Sequence, residues 1–164
     1  VSSNEVRQSN EGRVILFRYI CTFIYIYMIY ITRRERFNAA HKLWRADWSD
    51  EKNAKIFGKC SNKNWHGHNY ELFVTVKGNI NPETGFVIDL KELKNIIRTH
   101  ITDPLDHKNI NLDVDFMKGK MASTEVLAIV IFDKLKPLIA SEGAQLHSIK
   151  LYETENNFVE YLGE

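Results

Sequence analysis

The amino-acid sequence predicts an α+β sandwich in the order ββ-α-α-ββ. Three observations carry this reading. Stretches near the start and the end of the folded region alternate apolar and polar residues, the period of a half-buried strand. Two stretches between them repeat apolar residues at helical spacing, each behind a side chain suited to capping a helix. Paired strands with helices grouped between them belong to the α+β class.

Ile29 to Leu43 reads as the first strand, with Phe37, Ala39 and His41 on one face. Trp44 to Lys59 is a polar connection with room for one helical turn. His66 to Gly78 is the second strand: Tyr70, Leu72, Val74 and Val76 face one way, and Glu71, Phe73, Thr75 and Lys77 the other. "NPETG", Asn81 to Gly85, is a turn with proline at its second position, and Phe86 to Ile88 reads as a short strand. Asp89 caps a helix on which Leu90, Leu93, Ile96, Ile97 and Ile101 recur, and Pro104 is expected just past its end. Asn109 to Ala122 is loop. Ser123 caps a second helix carrying Leu127, Val130, Ile131, Leu135 and Leu138, and Gly143 marks its exit. Leu146 to Thr154 and Phe158 to Leu162 are the last two strands.

At 164 residues the chain has room for one domain with a real core. A net charge of +1 without a basic stripe argues against a nucleic-acid partner, because phosphate binding needs clustered Lys and Arg. Two cysteines, Cys21 and Cys60, make no disulfide framework, so a reduced, cytoplasmic chain is expected. Val14 to Ile31 resembles a membrane span, but Arg18 leaves an apolar run shorter than the roughly 20 residues a spanning helix needs. No membrane partner is expected. Residues 1–27 read as a dispensable, disordered extension or as lying outside the true start, and 28–164 as the domain.

The chemistry gathers around the second strand. His66 and His68 stand at i and i+2, so their imidazoles share one face and can converge on a metal ion. By itself that pair is as compatible with two structural histidines. His41 ends the apolar face of the neighbouring strand, and three histidines at adjoining strand ends suit zinc, leaving a fourth position open. Cys60 could close that position as a structural ligand. Its polar surroundings equally suit a reactive thiol. Asp106 followed by His107 offers a carboxylate that orients an imidazole, or simply a solvated turn. Glu153 follows Ile149 and Leu151 on one face, where an unpaired carboxylate is costly. A ligand with two adjacent N–H donors, such as a 2-amino-4-oxo pyrimidine ring, would satisfy it; so would a lysine or solvent.

"FNAAHKL", "FGKCSNKNWHGHNY", "TGFVIDLKELK", "DPLDHKN", "STE" and "LYETENNFVEYLGE" together resemble the 6-pyruvoyl-tetrahydropterin synthase family, over essentially Met28 to Glu164. That family includes the animal-type synthase and the bacterial 6-carboxy-tetrahydropterin synthase of queuosine biosynthesis, both acting on 7,8-dihydroneopterin triphosphate. The resemblance implies the tunnelling fold (T-fold), a four-stranded antiparallel sheet with two helices on one face, assembled from trimers into a homohexamer. It implies zinc on His41, His66 and His68, and Cys60 as catalytic thiol with Asp106 and His107 as proton-relay partners. Glu153 would anchor the pterin ring, and Ser123, Thr124 and Glu125 would line its pocket. Ser123 departs from the second threonine usual in the family. The five-residue gap from Cys60 to His66, "FGKC" and "ETENN" look like the animal type.

Overall fold

The period-two stretches become the two longest strands, β1 (Ile29–His41) and β2 (His66–Gly78). The computed structural model describes residues 28–164, so the expectations for residues 1–27 lie outside the described residues. Between the strands lies α1 (Asp50–Phe57), and after them come α2 (Leu90–Ile97), α3 (Asp103–Leu105), β3 (Lys108–Asn109), α4 (Thr124–Ser141), β4 (Gln145–Tyr152) and β5 (Phe158–Tyr161). The sheet order is β3-β1-β2-β4-β5. β1 and β2 pair antiparallel from Ile29–Gly78 to His41–His66; β4 and β5 extend the ladder antiparallel, while β3 runs parallel to β1.

The sheet therefore has five strands and is mixed, where four antiparallel ones were expected. β3 pairs only Lys108 and Asn109 with Ala39 and Ala40, too short to leave a period in the sequence. Phe86–Ile88 is not a strand: Val87 and Ile88 are buried as plugs, and a Cβ on Gly78 would stand 2.7 Å from Val87 Cγ1. The connection after β1 holds the two turns of α1 rather than one. Ser49 Oγ accepts from Lys52 N–H as its cap, but the helix is polar on nearly every side, which hides the period.

Asp89 caps α2 as expected, its carboxylate accepting from Lys91 N–H at 2.7 Å. The helical path does not stop before Pro104. It widens into a π-helical turn, Arg98–Thr102, and finishes as α3, where Pro104 sits in the first turn and its missing N–H costs little. Leu93, Ile97 and Ile101 are fully buried, whereas Leu90, expected on the same face, is half exposed. Ser123 caps α4 by accepting from Val126 N–H, and Leu127, Ala128, Ile131, Phe132, Leu135 and Ile139 form the buried face.

α4 lies across β4 and β5, and α2 with its π turn packs on β1 and α4. Both helices cover the sheet face that carries Phe37, Tyr70, Leu72, Val74, Ile149 and Leu151. Phe37 and Tyr70, opposite each other in the ladder, stack with centroids 4.9 Å apart. Glu35 is buried on this face and is held by Arg33 and Arg98. The other face, with Tyr30, Arg34, Arg36 and Asn38, stays exposed.

Candidate metal centre and adjoining pocket

The β1–β2 register sets His41 directly opposite His66 and Ala39 opposite His68. Three imidazoles thus meet where the apolar face ends, with His41 buried and the other two partly exposed. His41 Nδ1–H donates to the carbonyl of Ala122 at 2.7 Å, which fixes the tautomer and leaves Nε2 with a free lone pair. His41 Nε2, His66 Nδ1 and His68 Nε2 are buried side-chain atoms without a hydrogen-bond partner. The ligand atoms of the three residues lie within 4.8 Å of one another. Orphaned buried nitrogens converging in this way fit a metal ion, because burial without a partner is otherwise costly. Burial, the leading cause, lowers all three imidazole pKa values; nearby Glu153 opposes the shift. The rings are thus held neutral, the form a metal needs.

Cys60 does not join the histidine group. It sits in a 3-10 turn, Gly58–Ser61, and lines a cavity of about 210 Å³ with His41, Ser123, Thr124, Glu125 and Glu153. A structural site with Cys60 as fourth ligand therefore finds no support in this geometry. Leu43, Asn157, Phe158 and Val159 complete the lining. These four were missed from sequence, because they come from strand ends and a turn that only the hairpin closure brings together.

Glu153 lies one residue past the end of β4, its N–H donating to the carbonyl of Asn157. Its side chain nonetheless points back to the histidines. Oε1 accepts from Thr124 Oγ1 at 2.9 Å and stands 3.4 Å from His41 Nε2 and 3.7 Å from His68 Nε2. No lysine takes the carboxylate, and the cavity has no Lys or Arg in its lining among the described residues. Thr124 is buried, Ser123 caps the helix, and Glu125 is exposed in the first turn, where a carboxylate favours the helix dipole.

The pair Asp106–His107 lies elsewhere. Asp106 Oδ1 accepts from Asn38 N–H at 2.8 Å, and His107 N–H donates to the Asn38 carbonyl, so the pair grips the edge of β1. His107 Nδ1 stands 2.9 Å from Asp106 Oδ2, and its ring is 77% exposed. It lines a shallow depression at the β1 edge with Asn38, Ala40, Gly67 and Asn69, and with His68 of the histidine group. Within one chain the structure does not bring this pair into the Cys60 cavity. The Asn38 N–H, the first cause, and His107 keep the Asp106 carboxyl below the usual range.

Trp65, just before His66, has φ 66°. The left-handed region costs a side-chain-bearing residue about 1–2 kcal/mol.

Fold and site together define an α+β protein with a three-histidine site open to a cavity that holds a thiol and a carboxylate. The family described as "6-pyruvoyl tetrahydropterin synthase" matches residues 30–164. The 6-pyruvoyl tetrahydrobiopterin synthase of Pongo abelii is 46% identical over 134 residues, 82% of this chain and 91% of that one. The 6-carboxy-5,6,7,8-tetrahydropterin synthase of Haemophilus influenzae is 30% identical over 154 residues, 82% of this chain and 99% of that one. The solved structure of the Caenorhabditis elegans 6-pyruvoyl tetrahydropterin synthase superposes with a TM-score of 0.78 at 36% identity, covering 85% of this chain and 98% of that one. The chain belongs to the 6-pyruvoyl tetrahydropterin synthase family.

Proposed function

We propose that the protein is a zinc-dependent lyase that converts 7,8-dihydroneopterin triphosphate with loss of triphosphate, giving the 6-pyruvoyl product. The observation that carries the reading is a cavity lined by the Cys60 thiol, the Glu153 carboxylate and His41 of the histidine site. The higher identity to the 6-pyruvoyl relative than to the 6-carboxy one supports the first product over the second.

His41, His66 and His68 would hold the ion, and three neutral imidazoles with one open position suit zinc. Bound there, zinc supplies Lewis acidity toward the oxygens of the substrate's side chain. Glu153 accepts two parallel N–H bonds from the pterin ring, and the Thr124 hydroxyl holds one of its oxygens in place. Among the described residues of one chain, two carboxylates and no lysine or arginine line the cavity, which disfavours a triphosphate inside it. The ring enters and the phosphates stay outside. Cys60 would take and return protons at the side-chain carbons, and the C–O bond to the triphosphate would break with its electron pair leaving on the phosphate oxygen. Asp106 and His107 serve as relay from a neighbouring copy, since within one chain they do not line the Cys60 cavity. That requirement supports a homohexamer, as do the open edge at β5 and the stretch of β1 that the two-residue β3 does not cover. A cytoplasmic location fits a free thiol at the site.

Incubating the purified chain with 7,8-dihydroneopterin triphosphate and identifying products by mass spectrometry tests the proposal. Triphosphate and the 6-pyruvoyl compound are expected. The 6-carboxy compound would reassign the product, and unreacted substrate would refute the activity.

A further inference from the structure

The three tryptophans of the chain, Trp44, Trp48 and Trp65, all fall between β1 and β2, in the segment that also carries Cys60. Two of them share one cation. Lys42 Nζ stands 4.7 Å from the Trp44 ring centroid and 4.7 Å from that of Trp65. Strand pairing ends at His41 opposite His66, so Lys42 and Trp65 occupy the place of the next rung. Lys42 turns its backbone the other way: its N–H donates to Asn111 Oδ1 at 3.0 Å, and its carbonyl accepts from Asn111 Nδ2 at 3.1 Å. Only its side chain reaches across to Trp65. Trp65 meets it from a left-handed backbone, which a bulky residue adopts only when its surroundings hold it there. One residue beyond Lys42, Leu43 N–H donates to the Cys60 carbonyl at 2.8 Å and seats the returning loop on the end of β1.

We propose that the Trp44–Lys42–Trp65 stack is a positioning device for the metal-ligating rung: it holds the His66 imidazole against His41 and keeps the Cys60 loop seated on β1. The proposal rests on the reading of the three histidines as a metal site. His66 differs from its two partners in turning Nδ1 rather than Nε2 inward. The backbone immediately before it sets the direction from which that ring leaves the strand. Gly67 on its other side has no side chain with which to lock it. A cation shared by two aromatic faces is attracted to both ring quadrupoles, so the stack closes the strand ends where no ladder bond does. Lys42 and Trp65 are positioning residues; neither touches the reacting atoms.

The test uses the metal-free full chain. Zinc affinity is measured by competition with a chromophoric chelator, and the absorption spectrum of the cobalt-loaded protein reports ligand geometry. Glycine accepts a positive φ without strain, which offsets part of what the lost ring contributes, so W65G should stay folded with a melting temperature close to that of wild type. Its zinc affinity should nonetheless fall about tenfold, the scale of losses when outer partners of metal ligands are removed, and its cobalt spectrum should shift. W65F keeps a ring over Lys42 and should restore both. K42M keeps the alkyl stem without the charge and should lose about threefold. If W65G does not fold, K42M and W65F decide. Wild-type affinity and spectrum in both W65G and K42M would overturn the positioning role. A wild-type chain that takes up no stoichiometric zinc or cobalt would overturn the metal reading itself, and this proposal with it.

Discussion

At His41 one ring nitrogen is committed to the Ala122 carbonyl, and the other faces two further orphaned imidazole nitrogens. His68→Ala should therefore abolish stoichiometric zinc and turnover together, read by metal analysis and product assay; full metal retention would remove His68 from the site. Cys60 stands outside the ligand group, so Cys60→Ala should keep zinc and fold while turnover falls by about 10²- to 10⁴-fold, the usual contribution of a general acid or base. Loss of zinc in that variant would restore the structural-ligand reading. Glu153→Gln still offers an oxygen to the Thr124 hydroxyl, but its NH₂ then meets the ring's own N–H. Calorimetry with a pterin lacking the triphosphate side chain should show binding at least about tenfold weaker, near 1.4 kcal/mol, and unchanged affinity would refute the anchoring role. The histidines were legible in sequence because a period of two puts His66 and His68 on one face and His41 on the matching one. The Ala122 carbonyl was not, since backbone acceptors carry no side-chain signal.

Elements with a strong period were legible, and those built by tertiary context were not. β2 and α2 came through because one face of each is apolar and the other polar, and α4 because it is a long, capped apolar stretch; α1, β3 and the π turn have no such signal. Leu135 and Leu90 show the difference in energy. Leu135 is fully buried in α4, so Leu135→Ala should cost about 2–5 kcal/mol in urea unfolding. Leu90 is half exposed in spite of its helical spacing, so Leu90→Ala should stay within about 0.5 kcal/mol. The segment before β3 carries a pH signature. Asp106 has its pKa depressed in the folded chain, mainly by the Asn38 N–H and also by His107. Its ionised form therefore adds stability above the unfolded value of about 3.9, and that contribution is lost as pH falls through the lower folded value. The stability gap between wild type and Asp106→Asn should persist above about pH 5 and shrink below about pH 4. A gap that closed near pH 6 would contradict the assignment.

For the whole molecule, the separation of Asp106–His107 from the Cys60 cavity is the decisive fact. The family resemblance implies one relay, but only the topology reveals that the pair sits at the edge of β1, just before β3, outside the Cys60 cavity. If the relay is completed between copies, Cys60→Ala and Asp106→Asn chains, each inactive alone, should regain part of the activity when dissociated and reassembled together. Mixed oligomers that form yet stay inactive would place the relay elsewhere.

The His41–His66 rung closes the shortest loop of any rung between β1 and β2; each one toward Ile29–Gly78 closes a longer loop. Loop closure costs more entropy as the loop lengthens, so pairing should begin at the histidines and zip outward. The chemical centre is then also the point where folding of the longest hairpin starts. An ion gripping both strands there would stabilise the nucleus before the core has formed. Refolding of the denatured chain, followed by the fluorescence of three tryptophans at that same end, should be faster with stoichiometric zinc than without it. His66→Ala should lose the acceleration, and equal rates with and without zinc would mean that the sheet forms first and the metal arrives last.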